Sequence, residues 1–380
     1  MTIRVKFLSS LLFISFLSVS CFKKDKADNV IRVGEVGSFT GENATFGIST
    51  HQGIELAFKE INANGGVKGK QIELIKYDNQ GKDEEAATVT RRLVTQDKVV
   101  AILGEVASRR SLVMAPIAQE AKVPMVSPSS TNPKVTATGD YIFRVCFIDP
   151  FQGTVMAKFA LEQLKIKKVA VFRDVSNDYS VGLADFFIET FVKNGGEIVV
   201  DESYVEKDID FKAQLTKIRG KNPEAIFIPG YYGNVGLIAR QARELGIKAP
   251  LLGGDGWDSP KLFEIGGASL EGSYMSNHYS PEDQAPVVQN FIKKYQEAYG
   301  VVPDGLAAMG YDAAKILADA MGRTETMGSD NIRAALAATK DYPGVTGKIS
   351  IDDKRNSVKP AVVLKVENGG FKYVTTVQPL

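Results

Sequence analysis

The sequence predicts an α/β protein built as two doubly wound parallel-sheet lobes joined by a three-stranded hinge. Three observations carry that expectation. The chain has 380 residues, more than one core organises efficiently, since domains settle at roughly 100–200 residues. From residue 30 onward, short apolar runs alternate with longer amphipathic ones, as strands joined by crossover helices do. A helix, then Asn-Gly-Gly, then a strand occurs once in each half, at Asn64-Gly65-Gly66 and Asn194-Gly195-Gly196, which suggests two similarly built units.

Taken in order, residues 31–36 form the first expected strand. Ile54, Ala57, Phe58 and Ile61 then recur at helical spacing, and this helix stops at Asn64-Gly65-Gly66, where glycine can take the left-handed cap. A strand over 71–77 follows, then a helix over 83–96, a strand over 99–106, a helix over 111–121 and a strand over 123–127. Such alternation winds a parallel lobe. The second round places helices near 153–164, 180–193, 211–219 and 234–245, and strands near 168–172, 197–204, 225–228 and 250–252. Residues 284–299, 305–321 and 329–338 then form three helical stretches that need a sheet to cover. Strand composition returns at 348–351, 361–366 and 371–376, with Asn368-Gly369-Gly370 as a hairpin turn. Crossings near 147, 278 and 346 satisfy both lobes. Residues 30–146 with 279–345 make the first, and 147–278 with 346–380 the second; three crossings make a hinge.

The first twenty residues differ in kind. Arg4 and Lys6 precede a 13-residue apolar run over 7–19, and Ser20 stands directly before Cys21. This reads as a secretory signal, because a membrane-spanning helix needs about 20 apolar residues. The stretch Leu17-Ser18-Val19-Ser20-Cys21 resembles a bacterial lipobox, with Ser18 where a branched apolar residue is commonest. Cys21 is therefore expected to be lipidated, with 22–29 as a polar tether; plain cleavage near Ser20 is the ordinary alternative. The expected location is the periplasm or the cell surface, with membrane contact only through the lipid.

Composition narrows the partners. Hydrophobic content of 44% and charged content of 24% are globular averages. Removing residues 1–20 takes Arg4 and Lys6 and no acid, so 46 basic residues become 44 against 45 acidic, a net charge of −1. No nucleic-acid partner is expected. With Cys21 acylated, Cys146 has no partner in the chain, and in the run Tyr141-Ile142-Phe143-Arg144-Val145-Cys146-Phe147 it reads as a small buried hydrophobe. Only His51 and His278 are present, which argues against a histidine zinc site and leaves a Ser-His-acid triad little to work with. There is no Gly-x-Ser-x-Gly elbow, phosphate loop or dinucleotide fingerprint. No enzyme activity, cofactor or metal is expected.

Ligands of open parallel sheets bind beyond the carboxyl ends of the strands. In the first lobe those ends are Gly37 to Gly47, including Phe46, then Glu105-Val106-Ala107-Ser108 and Ser127-Pro128-Ser129-Ser130-Thr131. In the second they are Asp174 to Tyr179, Gly230-Tyr231-Tyr232-Gly233 and Gly253 to Asp258. The first set offers hydroxyls and helix starts; the second offers tyrosines, Trp257 and carboxylates. That is complementary equipment for a zwitterion. Ser108 and Thr131 suit an α-carboxylate at a helix N-terminus, and Asp255, between glycines, suits an α-ammonium. Ordinary N-capping for Ser108, Ser129 and Thr131, and an ordinary turn for Asp255, are the plainer readings. Ala107, Trp257 and Tyr311 complete the candidate set.

At these loops the chain resembles the leucine/isoleucine/valine-binding proteins of bacterial ABC importers, over nearly all of residues 30–376. The phrases that carry it are Gly37-Ser38-Phe39-Thr40-Gly41, Asn62-Ala63-Asn64-Gly65-Gly66-Val67-Lys68-Gly69, Tyr77-Asp78, Ser127-Pro128-Ser129-Ser130-Thr131, Arg240-Gln241-Ala242-Arg243-Glu244-Leu245-Gly246 and Gly254-Asp255-Gly256. The resemblance implies a type I periplasmic binding protein fold and a monomer that delivers an amino acid to an ABC permease. It implies that Ser108 and Thr131 bind the carboxylate and ammonium, and that the Ser129 carbonyl and Asp255 complete the ammonium site. By the same resemblance Tyr231 holds the polar end, while Phe46 and Tyr179 line the side-chain pocket. The chain departs from the leucine-binding members in carrying aspartate for glutamate at 255, so the ammonium sits closer or a water intervenes. It also has phenylalanine for tyrosine at 46, and Arg109-Arg110 after Ser108. An arginine there could select an acidic ligand side chain; a solvated helix start is the plainer reading. A sensor of the same fold, or a binder of another small zwitterion, is the alternative function.

Overall fold

The structure, a computed structural model, describes residues 1–2 and 29–379. Cys21, the apolar run over 7–19 and the tether up to residue 28 lie outside the described residues. The first unit runs β1 (Val30–Gly37), α1 (Ala44–Ala63), β2 (Gln71–Asp78), α2 (Asp83–Arg92), β3 (Ala101–Leu103), α3 (Ser108–Glu120), β4 (Met125–Ser127), α4 (Lys134–Ala137) and β5 (Ile142–Arg144). Its five strands are parallel in the order β2-β1-β3-β4-β5. Val33 in the middle of β1 is flanked by Leu74 on one side and Ala101 on the other. The turn after α1 needs its glycines. Gly66 has φ +75°, and a Cβ there would collide with the Lys70 carbonyl oxygen.

The second unit comprises α5 (Asp149–Lys158), β6 (Lys168–Asp174), α6 (Asp178–Lys193), β7 (Glu197–Tyr204), α7 (Lys212–Gly220), β8 (Ala225–Phe227), α8 (Tyr232–Glu244), β9 (Leu251–Gly253), α9 (Pro260–Gly266) and β10 (Tyr274–Asn277). The chain then returns to the first unit with α10 (Pro286–Tyr299), α11 (Gly305–Arg323) and α12 (Ser329–Ala337), and α11 packs along α1. A small antiparallel sheet, β11 (Tyr342–Gly344), β12 (Gly347–Ile351) and β13 (Ser357–Val358), follows. Two last strands, β14 (Ala361–Glu367) and β15 (Gly370–Val377), complete the second sheet, whose order is β15-β14-β10-β9-β8-β6-β7. Val169, Ala170, Val171 and Phe172 of β6 are wholly buried, as a parallel strand covered on both faces must be.

Three differences from the expectation stand out. The second sheet is parallel only through β10; β14 and β15 add antiparallel strands at its edge. β5 ends the first sheet and β10 ends the parallel run of the second, both as short strands that were not expected. The third crossing is not near 346: Ile349 and Ile351 lie in the core of the first lobe, so the chain crosses between β13 and β14. The first two crossings fall between β5 and α5 and between β10 and α10. Read along the parallel strands, β7-β6-β8-β9-β10 repeats the winding of β2-β1-β3-β4-β5. Each lobe therefore has its strand order reversing at one place, between β1 and β3 and between β6 and β8, and the loops there open onto the other lobe.

Candidate ligand-binding site

The lobes touch along the cleft. Asn43 Nδ2 donates to Glu206 Oε1 at 3.1 Å, the Tyr232 hydroxyl to the Glu42 carbonyl at 2.6 Å, and Asn132 Nδ2 to the Asp178 carbonyl at 2.8 Å. Thr45 and Ser259 share a hydrogen bond of 3.0 Å. Between these contacts lies a small cavity of about 10 Å³, room for about one water as the side chains stand. The first lobe lines it with Phe46, Val106, Ser108, Ser129 and Leu306, the second with Tyr179, Tyr231, Asp255 and Gly256. A larger open groove beside the second crossing, lined by Ile48, Pro260, Tyr279 and Val302 among others, collects none of the candidate residues.

On the first lobe, Ser108 is the opening residue of α3, and its hydroxyl accepts from the Asn132 backbone N–H at 3.2 Å. It does not cap its own helix; Ala107 holds that position without a side-chain cap bond. Glu105, placed by the sequence in a strand-end loop but given no role there, anchors this corner. Ser38 Oγ and Asn79 Nδ2 each donate to its Oε1 at 2.9 Å, and the Ala107 N–H donates to Oε2 at 2.5 Å. Ser127, Ser130 and Ser111 hydroxyls all reach the Glu105 carbonyl, which ties the loop after β3 to the loop after β4. The buried Arg144 guanidinium holds the latter loop through the Ser130 and Asn132 carbonyls. A lone charge inside the apolar run 141–147 was the sequence signal for it.

On the second lobe, Asp255 is buried with three donors. Gln152 Nε2 and the Tyr179 hydroxyl reach Oδ1 at 2.8 and 3.0 Å, and His278 Nε2 lies 3.1 Å from Oδ2. Tyr179 also accepts from the Gly256 N–H at 3.1 Å and stacks on Tyr231, ring centroids 5.3 Å apart. Phe46 meets Tyr231 edge-on across the lobe boundary at 5.3 Å. Burial, helped by the Asp255 charge, pushes the Tyr179 hydroxyl well above the ordinary phenol pKa, so it stays a neutral donor. Gly254 makes the cluster possible, since a Cβ there would sit 2.6 Å from the Tyr179 oxygen and 2.8 Å from Gln152 Nε2.

Phe46, Ser108, Ser129, Tyr179, Tyr231 and Asp255 therefore come together, and four candidates do not. Thr131 is buried but off the cavity wall; its carbonyl accepts from the Asp149 N–H at 3.0 Å. It also precedes α4, a helix of one turn, by three residues, so it does not open a helix of useful length. Ala107 is buried beside the cavity with its N–H taken by Glu105. Trp257 is wholly buried in the second core, its indole donating to the Ile228 carbonyl at 3.0 Å. Tyr311 lies in the first lobe away from the cleft, bonded to Glu60 at 2.8 Å. Arg109 pairs with Asp83 at 2.7 Å and Arg110 donates to the Gly81 carbonyl at 2.7 Å, and neither lines the cavity. His51 lies outside the cavity, its Nδ1 2.8 Å from the buried Glu35 carboxylate. Gln152, His278 and Leu306 belong to the site and were missed.

Cys146 is buried in the first lobe, and burial pushes its thiol up to about 12. Among the described residues no helix is long and apolar enough to cross a membrane, and no group of three potential metal ligands occurs.

Fold and cavity together define a two-lobed solute-binding protein, in which a small molecule is enclosed where hinged α/β lobes meet. A model of the periplasmic binding protein family matches residues 30–370, and the chain belongs to that family. It is 33% identical over 330 residues to an amino acid binding protein of Pseudomonas aeruginosa, a match spanning 85% of this chain and 86% of that one. Its structure resembles a leucine binding protein from Thermotoga maritima, with a TM-score of 0.89 and 42% identity, covering 92% of this chain and 99% of the other. It also resembles a branched-chain amino acid transporter substrate binding protein from Streptococcus pneumoniae solved with isoleucine. There the TM-score is 0.87 and the identity 38%, covering 92% and 100% of the two chains.

Proposed function

We propose that this protein captures a free α-amino acid, branched-chain or otherwise aliphatic, and delivers it to an ABC permease by closing its cleft. One observation carries the reading: a small cavity between the lobes has buried Asp255 in one lobe's wall and Ser108, at the start of α3, in the other's. The acid suits an ammonium, and the helix start with its hydroxyl suits a carboxylate. Phe46, Leu306, Tyr179 and Tyr231 between them leave an apolar and aromatic wall for the side chain. The leucine- and isoleucine-binding relatives support the same ligand class. An extracytoplasmic location goes with the family. Attachment through a lipidated Cys21 is our reading of the stretch before it, and we take the protein to act as a monomer.

Thermal unfolding in the presence of each common amino acid tests the reading. A ligand that binds only the folded protein stabilises it by about 2.7 kcal/mol at a hundredfold excess over Kd. One or more aliphatic amino acids are expected to raise Tm by several degrees. If no amino acid shifts it, the zwitterion reading is wrong.

A further inference from the structure

Asp255 is held by three donors: a tyrosine hydroxyl, a glutamine amide and an imidazole. Among the described residues it forms no ion pair with a lysine or arginine; its one charge-capable partner is His278. That ring is almost wholly buried, stacked on Phe147 with centroids 3.7 Å apart, and its Nδ1 has no hydrogen-bond partner. Burial lowers its pKa to about 4; the Lys359 charge lowers it too, against the pull of Asp255. The ring is then neutral, with its one proton on Nε2, where it donates to Asp255. The Asp255 charge in turn adds to the rise that burial imposes on the Asp149 and Asp258 carboxyls.

A carboxylate offers about four acceptor positions, and three are occupied here. A fixed cation at the same place would cancel the charge that an ammonium needs. We propose that His278 and Gln152 are positioning residues that aim Asp255 at the cavity with its negative charge uncancelled, His278 acting only as a neutral donor. Both stand next to chain crossings, Gln152 in the first turns of α5 and His278 just after β10. Gln152 is braced in turn by Ser276 at 3.0 Å. The ammonium subsite is thereby fixed to the hinge, not to a mobile loop tip. This inference rests on the amino-acid reading of the site.

The test uses the purified protein with 15N-labelled histidine, whose two rings are told apart with His51→Gln. His278 is expected to show the Nε2-protonated neutral form, unchanged between about pH 5 and pH 8. In calorimetry with the best amino-acid ligand, His278→Gln, which keeps a neutral donor of similar reach, should bind within about threefold of wild type. His278→Leu should bind at least about tenfold more weakly. The ratio of wild-type to His278→Gln affinity should stay constant over the same pH range. A His278 that titrates in that range, or His278→Leu binding as tightly as wild type, overturns the proposal alone. A wild type that binds no amino acid overturns the site reading and this proposal with it.

Discussion

Asp255 and Asp149 are both buried near the lobe junction, but only one is supplied with donors. Neither Asp149 oxygen has a hydrogen bond of good geometry, although the Thr131 hydroxyl lies beside it. Burial pushes the Asp149 carboxyl up to about 8, and the Asp255 charge adds to that rise. An acid raised in this way keeps a proton when folded that it loses when unfolded. Stability therefore falls as pH rises from about 4 to about 8, by up to about 1.4 kcal/mol per unit, and levels off above. Asp149→Asn should remove this slope: the variant should melt several degrees above wild type at pH 8, with the gap closing toward pH 4. For Asp255 the expectation is opposite in kind. Asp255→Asn should weaken ligand binding by roughly 2–5 kcal/mol in calorimetry, because a desolvated ammonium loses its charged partner. Phe46→Tyr adds a hydroxyl at a wall and should cost far less; equal losses would make Asp255 a turn residue only. Asp255 was legible from its glycine-flanked place after a strand. Gln152 and His278 were not, because they meet it from 103 and 23 residues away, and nothing local marks either one.

At the scale of elements, the third crossing shows how a hinge is held. Asp312, inside α11, accepts from the Val345 and Thr346 N–H groups and from the Thr346 hydroxyl at 2.7–2.8 Å. Buried Lys359 donates to that hydroxyl and lies 3.3 Å from Met309 Sδ. Burial pulls the lysine down to about 8, with Asp312 resisting the fall. Asp312→Ala strands two backbone donors and a buried ammonium, and should cost about 3–5 kcal/mol in denaturant unfolding. A loss under about 1 kcal/mol would show that the crossing is held by packing instead. Strand composition at 348–351 revealed β12 but not its sheet, since composition looks the same wherever the strand pairs. β5 and β10 were not expected, although the equally short β3, β4, β8 and β9 were read from the apolar runs around them. The start of α5 was placed near 153, four residues late, although Asp149-Pro150 at its first turn marks it.

Across the whole molecule, two lobes of the same winding face each other with their strand-order reversals, and each brings one half of the chemistry. The repeated Asn-Gly-Gly was a faint trace of that symmetry; the division of hydroxyls and carboxylates between the two sets of loops was a plainer one. On the proposed reading, Ser108 of one lobe and Asp255 of the other meet opposite ends of the ligand, so a ligand that touches both favours the closed arrangement by its differential affinity for it. The cross-cleft bonds from Asn43, Tyr232 and Asn132 are weak enough singly to open and are all made together when the lobes meet. The most direct measurement is calorimetry with leucine and its two half-molecules, 4-methylpentanoate, which lacks the ammonium, and 3-methylbutylamine, which lacks the carboxylate. Leucine is expected to bind at micromolar Kd or tighter, about −8 kcal/mol, and each analogue at least a hundredfold more weakly. If either analogue binds as tightly as leucine, the ligand is not held by charge at both lobes and the account fails.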